Sequence, residues 1–274
     1  MLPNEQFTIR QRTIQAGAKA RTFLEETFWL FCRAWQKTLH LPLVLALVLA
    51  LPAVTLWLLS QIFSSVHQAP SLSATQSLSF FAPGMLVIAA LFGSSFAGIG
   101  LLGDRDSGFL ERLAAAPIHR SAILLGKALA DSSRTLLQAT ILLVLLTLLH
   151  TPIQASPLHL LGLLGLLAIF SLSFAGVSYL VALFTQSTEA LMLIEMFLFL
   201  LLLFGSNALL PDSLLPGWMH VIALVNPVSH AVTLTRQLLA GAATLLTYTL
   251  TVSAFVVLAA VGVGCTVWKL NRFT

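Results

Sequence analysis

The stretch GDRDSGFLERLAAAPIHRSAILLGK, residues 103–127, decides how the chain is read. Charged residues are only 9% of the sequence and hydrophobic ones 58%, yet Asp104, Arg105, Asp106, Glu111, Arg112, Arg120 and Lys127 crowd into this segment. On either side lie apolar runs, Pro83 to Leu102 and Ile123 to Leu149. A charged island between two runs of bilayer-spanning length is a turn at a membrane face, and the runs are helices.

Working outward, further apolar runs approach or exceed the roughly 20 residues a helix needs to cross a bilayer core. They are Leu41 to Phe63, Pro157 to Phe184, Ala190 to Phe204 and Leu245 to Val267. The fold expected is an all-α integral membrane protein with six transmembrane helices. The fifth run is the shortest, and the chain after it stays apolar. Pro42 and Pro83 are read as first-turn prolines, where the missing N–H has no helical partner, and Pro52 as a kink. The expected division is an amino-terminal segment 1–40, a transmembrane domain 41–268 and a tail 269–274.

A mean hydropathy of +0.94 makes lipid the solvent for most of the chain. The net charge of +4 is scattered along membrane flanks rather than patterned as a groove or recognition helix, which argues against nucleic acid as a partner. Orientation follows from counting cations. Arg10, Arg12, Lys19, Arg21, Arg33 and Lys37 precede the first run; Arg105, Arg112, Arg120, Lys127 and Arg134 lie between or just inside the second and third; Lys269 and Arg272 follow the sixth. Alternating spans put these on one side and Arg236 on the other, so both termini are expected in the cytoplasm. The first forty residues are polar and basic, so no cleaved leader is expected. Cys32 and Cys265 then lie near the inner face, and no external disulfide is expected.

The segment TFLEETFWLFCRAWQKTLH, residues 22–40, reads as an amphipathic interface helix. Thr22 and Glu25 have capping-box spacing, Glu25 and Glu26 suit the positive helix end, and Arg33 and Lys37 the negative end. Leu24, Phe28, Phe31, Trp35 and Leu39 form an apolar stripe, with Trp29 beside it, expected along the inner membrane surface.

Within the island, Asp106 or Ser107 is placed to cap a short helix over GFLERLAAA, and Pro117 to end it. Phe109, Leu110, Leu113 and Ala114 make an apolar patch edged by Glu111 and Arg112. Such a plug suits a shallow groove on a soluble partner. An ordinary positive-inside loop accounts for the same residues.

At these residues the chain resembles the ABC-2 type exporter permeases, the group with daunorubicin-resistance-type and nodulation lipo-oligosaccharide-type permeases. The matching positions are Gly108, Leu110, Glu111, Arg112, Leu113, Pro117, Leu124, Leu125, Gly126 and Lys127. Downstream, Pro211, Leu215, Pro216, Trp218, Asn226, Pro227 and Arg236 are similar to the family's second motif, and Ser206-Asn207 stands where Ser-Gly is more usual. The resemblance implies a bacterial inner-membrane exporter subunit. It implies that Ser107 to Ala116 is a cytoplasmic coupling helix between spans two and three, with Phe109, Leu110, Glu111, Arg112 and Leu113 seated on a separate ATP-binding subunit, present in two copies. A second permease copy, the same or related, is implied as well. Gly126-Lys127 lacks the upstream glycine of a phosphate loop. No cofactor or catalytic residue is therefore expected in this chain, and ATP and Mg are expected on the partner.

Buried ionisable groups are the remaining candidates. Lys127, Asp131 and Arg134 recur at helical spacing near the inner end of span three. Glu195, inside span five, must face a polar cavity, find a partner or be protonated. Asp131, Arg134 and Glu195 are the intramembrane translocation candidates. Gly93 with Ala97 and Ser94 with Gly98 have small-xxx-small spacing, a close helix contact. Residues 205–243 are expected to form short re-entrant external helices that turn at Asn226-Pro227, with Trp218 at the interface; these three are the external gate candidates. His67, His150, His159, His220 and His230 show no metal-ligand spacing, so no metal is expected. An ion-coupled transporter or channel working without an ATPase, with Glu195 as its proton site, is the competing class; absence of an internal repeat weighs against it. An intramembrane enzyme is disfavoured because HExxH and Gly-x-Ser-x-Gly are both missing.

Overall fold

A computed structural model of the chain describes residues 23–37, 74–109, 119–148, 154–185, 187–209 and 216–270, with isolated positions 50, 54, 55, 57, 58, 61 and 112. Apart from those isolated positions, the expected first span, with Pro42 and Pro52, lies outside the described residues. So do Thr22, Leu39, Leu110, Glu111, Leu113, Pro117, Pro211 and Leu215. Among the described residues all regular structure is helical.

After a helix over 23–37, the order is α1 (Ala74–Ser95), α2 (Ala97–Asp106), α3 (Arg120–Leu148), α4 (Pro157–Thr185), α5 (Thr188–Phe204), α6 (Gly217–Val225), α7 (Pro227–Leu239) and α8 (Leu245–Leu270). Among the described residues four stretches are long and apolar enough to cross a bilayer: Ser79–Asp106, which joins α1 and α2, then Ser121–Leu148, Pro157–Thr185 and Leu245–Lys269. They coincide with the expected second, third, fourth and sixth spans. Helix α5, at the place of the fifth, has 17 residues, about 26 Å at the usual rise. That is just short of the ~30 Å bilayer core. Ser187 caps it by accepting from the Ala190 N–H at 3.4 Å, and Glu189 sits in its first turn, both favourable at a helix start.

One expectation needs correction. Pro83 lies inside α1 rather than in its first turn, because the helix begins at Ala74 in the polar stretch ahead of the apolar run. The span it belongs to is also broken at Phe96. Gly93, Ser94 and Ser95 precede the break, and the Ser94 hydroxyl donates to the Ala90 carbonyl at 2.7 Å, a back-bond that bends helices.

The break separates the two larger clusters of the apolar core. Leu86, Val87, Ala90 and Leu91 of α1 pack with Leu166 and Phe170 of α4, Val228 and Leu234 of α7 and Phe255 of α8. Beyond Phe96, Ala97, Leu101 and Leu102 of α2 pack with Leu124 and Ala128 of α3, and with Tyr179, Ala182 and Leu191. Helix α4 runs through both clusters and is buried along much of its length, as an all-round apolar helix must be to avoid standing alone. It meets α8 where a Cβ on Gly262 would stand 2.9 Å from the Gly176 carbonyl carbon. The Ser173 hydroxyl adds a 2.6 Å bond to the Phe255 carbonyl, and Thr135 and Ser171 join α3 to α4 at 3.0 Å. Small residues and hydroxyls of this kind hold helices together where lipid removes the hydrophobic driving force.

Candidate functional site

Asp104, near the end of α2, is the centre of the charged end of the bundle. Its Oδ2 lies 2.5 Å from Lys127 Nζ on α3, and its Oδ1 lies 2.5 Å from Lys37 Nζ and 3.9 Å from the Arg33 guanidinium on the 23–37 helix. The Asp104 side chain is 10% exposed and Lys127 14%, while Arg33 and Lys37 are 37% and 55% exposed. Three cations from two elements thus converge on one carboxylate. The pair at the bottom is shielded from water, and the other two form a wetter rim.

The 23–37 helix is held to α3 by more than charge. A Cβ on Gly126 would lie 2.8 Å from the Thr27 carbonyl oxygen and 2.9 Å from Leu30 Cβ, so backbone rides on backbone. Trp35 Nε1 donates to Ser133 Oγ at 2.7 Å, and Glu26 accepts from the His119 N–H and approaches its Nδ1, both at 3.0 Å. The protein-facing side therefore carries buried Thr27 with Leu30, whereas Leu24, Phe28 and Trp29 stay exposed. Those last three supply the apolar surface expected to meet lipid.

At the island, the structure ends α2 at Asp106, with Ser107 as its C-cap and Gly108 at φ 65°. That left-handed turn favours glycine. Ser107 Oγ donates back to the Asp104 carbonyl at 3.1 Å, so it closes α2 rather than opening the next helix. Phe109 and Arg112 are helical again, and the Arg112 N–H reaches the Gly108 carbonyl at 3.3 Å. The Arg33 guanidinium sits 3.2 Å over the Phe109 ring, a cation–π contact that ties the 23–37 helix to the start of the expected coupling segment.

On α3, Lys127, Asp131, Arg134 and Gln138 follow one another at helical spacing and share a face. Asp131 pairs with Arg134 and also accepts from the hydroxyl of fully buried Tyr179 on α4. This polar stripe lines a cleft of about 630 Å³ together with Phe92, Phe96, Ile99, Arg33, Lys37 and Asp104. The sequence brought Lys127, Asp131 and Arg134 together. It did not connect them to Asp104, Tyr179 or the 23–37 helix, because such partners leave no mark in the periodicity of one helix.

Glu195 does not line this cleft. It is 2% exposed and accepts from Ser178 Oγ at 2.5 Å through Oε1; its Oε2 has no hydrogen-bond partner among the described residues. Ser178 Oγ in turn accepts from the Gly98 N–H at 2.7 Å. Gly98 is in the first turn of α2, so the chain break at Phe96 supplies the free N–H that begins this relay. The small residue predicted for a close contact meets α4 here: a Cβ on Gly98 would stand 2.5 Å from the Ser178 carbonyl oxygen.

At the opposite end, Asn226 is buried and double-acting. Its Oδ1 accepts from the Val228 N–H at 2.9 Å, capping α7, and its Nδ2 donates to the Leu202 carbonyl of α5 at 2.8 Å. Pro227 occupies the first turn of α7, where its missing N–H costs nothing. Trp218, on α6, is 68% exposed. Asn207 reaches Thr233 at 3.3 Å and its N–H reaches Ser229 at 3.4 Å, which gives an asparagine a task at the place of the more usual glycine.

Against known proteins, the sequence profile described as ABC-2 type transporter matches residues 25–240. The daunorubicin resistance ABC transporter permease protein DrrB1 of Streptomyces coeruleorubidus is 27% identical over 77% of this chain and 74% of its own length. The protein ycf38 of Cyanophora paradoxa, named as a transport permease, is 30% identical over 77% of this chain and 72% of its own. A doxorubicin resistance permease named DrrC, from Mycobacterium tuberculosis, is 29% identical over 56% of this chain and 55% of its own. The matched profile takes in the charged end, most of the two larger core clusters and the Asn226-Pro227 turn, and the chain belongs to the ABC-2 type transporter family.

Proposed function

We propose that this chain is the membrane subunit of an exporter that moves an amphipathic molecule, such as a drug, lipid, polyketide or lipid-linked glycan, out across a bacterial inner membrane. ATP is hydrolysed on a separate subunit. The observation that carries the reading is the family match over residues 25–240 together with the tie between the interface helix and Phe109. A push on residues 109–113 reaches Arg33 through the Phe109 ring, then Asp104 and Lys127, and so the ends of α2 and α3. Two permease copies and two ATP-binding subunits give each half its own coupling segment. Gly126, where a phosphate loop would need an open backbone, is covered by Thr27 and Leu30.

The test is to purify the tagged permease from its native membranes in mild detergent, identify stoichiometric partners and assay ATP hydrolysis. Co-purification of an ATP-binding subunit, lost when residues 109–113 are scrambled, is the expected result. The double substitution Glu111→Ala/Arg112→Ala is expected to leave ATPase activity in place and stop ATP-driven export; unchanged export ends this assignment. A second reading, ion-coupled transport, draws on Glu195, whose one hydrogen-bond partner among the described residues is Ser178. It requires export that persists without any ATPase and stops when the proton gradient is collapsed.

A further inference from the structure

Among the described residues, the charges that line the cleft do not balance. Arg134 and Asp131 pair one to one. At the mouth, however, Arg33, Lys37 and Lys127 share the single carboxylate of Asp104. The excess of two positive charges shares the cavity with Phe92, Phe96 and Ile99. Cations beside an apolar surface are costly unless an anion or water meets them. Lys37 has two further N–H donors beyond the one given to Asp104, and Arg33 meets the carboxylate only at 3.9 Å while its face rests on Phe109. The donors available to a ligand are therefore the rim pair, while the Asp104–Lys127 bond can stay intact.

We propose that this cleft binds an anionic amphiphile, a lipid-like molecule whose headgroup carries one or two negative charges. The headgroup lies between Arg33 and Lys37, and the hydrocarbon lies along Phe92 and Phe96. This rests on the exporter reading and narrows its substrate class. Its physical content is a preference of sign: a cationic amphiphile of equal length meets three cations at the mouth and is repelled. A soluble anion satisfies the rim but leaves the aromatic side chains uncovered. The cavity, about 630 Å³, is in the range of small-molecule sites, enough for a headgroup and the upper part of a chain.

The test uses the full chain in nanodiscs of equal parts phosphatidylglycerol and phosphatidylcholine, without ATP or any ATP-binding subunit. A photoreactive benzoylphenylalanine replaces Phe96, and mass spectrometry reads the adduct. Phosphatidylglycerol is expected to dominate, with a preference of about fivefold per rim cation. Arg33→Gln/Lys37→Gln, which leaves the cleft neutral, should return the adducts to the bulk ratio, and Arg33→Lys/Lys37→Arg should keep the preference. Four outcomes overturn the proposal: adducts at the bulk ratio in the unsubstituted rim, a preference that survives the glutamine pair, equal competition by tail-less glycerol phosphate, or an adduct to another stretch of protein. Failure of an ATP-binding subunit to co-purify would remove the exporter reading and leave this lipid measurement standing on its own.

Discussion

The two ends of the bundle are built from different kinds of contact, and the break at Phe96 is where one gives way to the other. At the charged end, besides the close backbone seats at Gly98 and Gly126, α2, α3 and the 23–37 helix meet through side chains that share partners: three cations on Asp104, two donors on Asp131. At the opposite end the contacts involve the backbone itself. A Cβ on Gly84 would fall 2.2 Å from the Ala208 carbonyl oxygen, and Asn226 pins the Leu202 carbonyl. Shared charges can exchange partners through small rotations, whereas close-packed backbone cannot move without opening a void. The charged end is thus the part suited to rearrange, and the opposite end the part that keeps its shape.

The largest effect expected is from Asp104→Ala. It leaves Lys127, 14% exposed, without its carboxylate, and breaking a buried pair on one side costs about 3–5 kcal/mol. Hydrogen exchange should rise in α2 and the first half of α3 and stay unchanged in α7, and Asp104→Ala/Lys127→Ala should recover part of the loss. A uniform rise along the chain would break the division into two ends. Gly84→Ala tests the other end. Forcing α1 off Ala208 is expected to cost roughly 1–3 kcal/mol, near the top of that range because the neighbour is backbone. Here exchange should rise in α1 and α7, and no charge substitution at the other end should rescue it.

Between them lies the relay from Gly98 through Ser178 to Glu195. Ser178→Ala removes the partner of both, so a buried N–H and a buried carboxyl lose their bonds, at about 1–3 kcal/mol. Glu195→Gln keeps an acceptor for Ser178 and should cost less. Thermal unfolding in detergent orders the two; equal losses would mean that the carboxyl, not the hydrogen bond, holds α2 to α4.

How far the sequence could be read follows the same division. The apolar runs placed α3, α4 and α8 within a few residues, because a long hydrophobic stretch has one stable form in lipid. The Asn226-Pro227 turn was legible since both residues act locally, as was Asp131 with Arg134, one turn apart on a single helix. Asp104 was not legible as a centre: Lys37 is 67 positions before it and Lys127 is 23 after it. Nor was Ser178 as the partner of Glu195, from the neighbouring helix, or Tyr179 as the partner of Asp131, 48 positions away. Hydrophobic period reveals which face of a helix is buried and says nothing of which helix covers it. Pro83 shows a further limit, since helix α1 continues into polar residues that the apolar pattern assigns to a loop.

The smallest effects separate the two ways in which the 23–37 helix is attached. Trp35→Phe keeps the aromatic ring and deletes one hydrogen bond to Ser133, worth about 0.5–1.5 kcal/mol. That bond joins neutral groups, so its loss should be the same in low and high salt. Glu26→Gln removes the carboxylate that faces His119, whose side chain is 46% exposed. A contact this wet is worth about 0.2–1 kcal/mol, and salt screens it where the imidazole is protonated. Protease accessibility of the 23–37 helix, followed at both salt concentrations, distinguishes them. If both losses shrink equally in high salt, the helix is held by charge alone, and the close seat of Thr27 and Leu30 on Gly126 contributes no more than a place to rest.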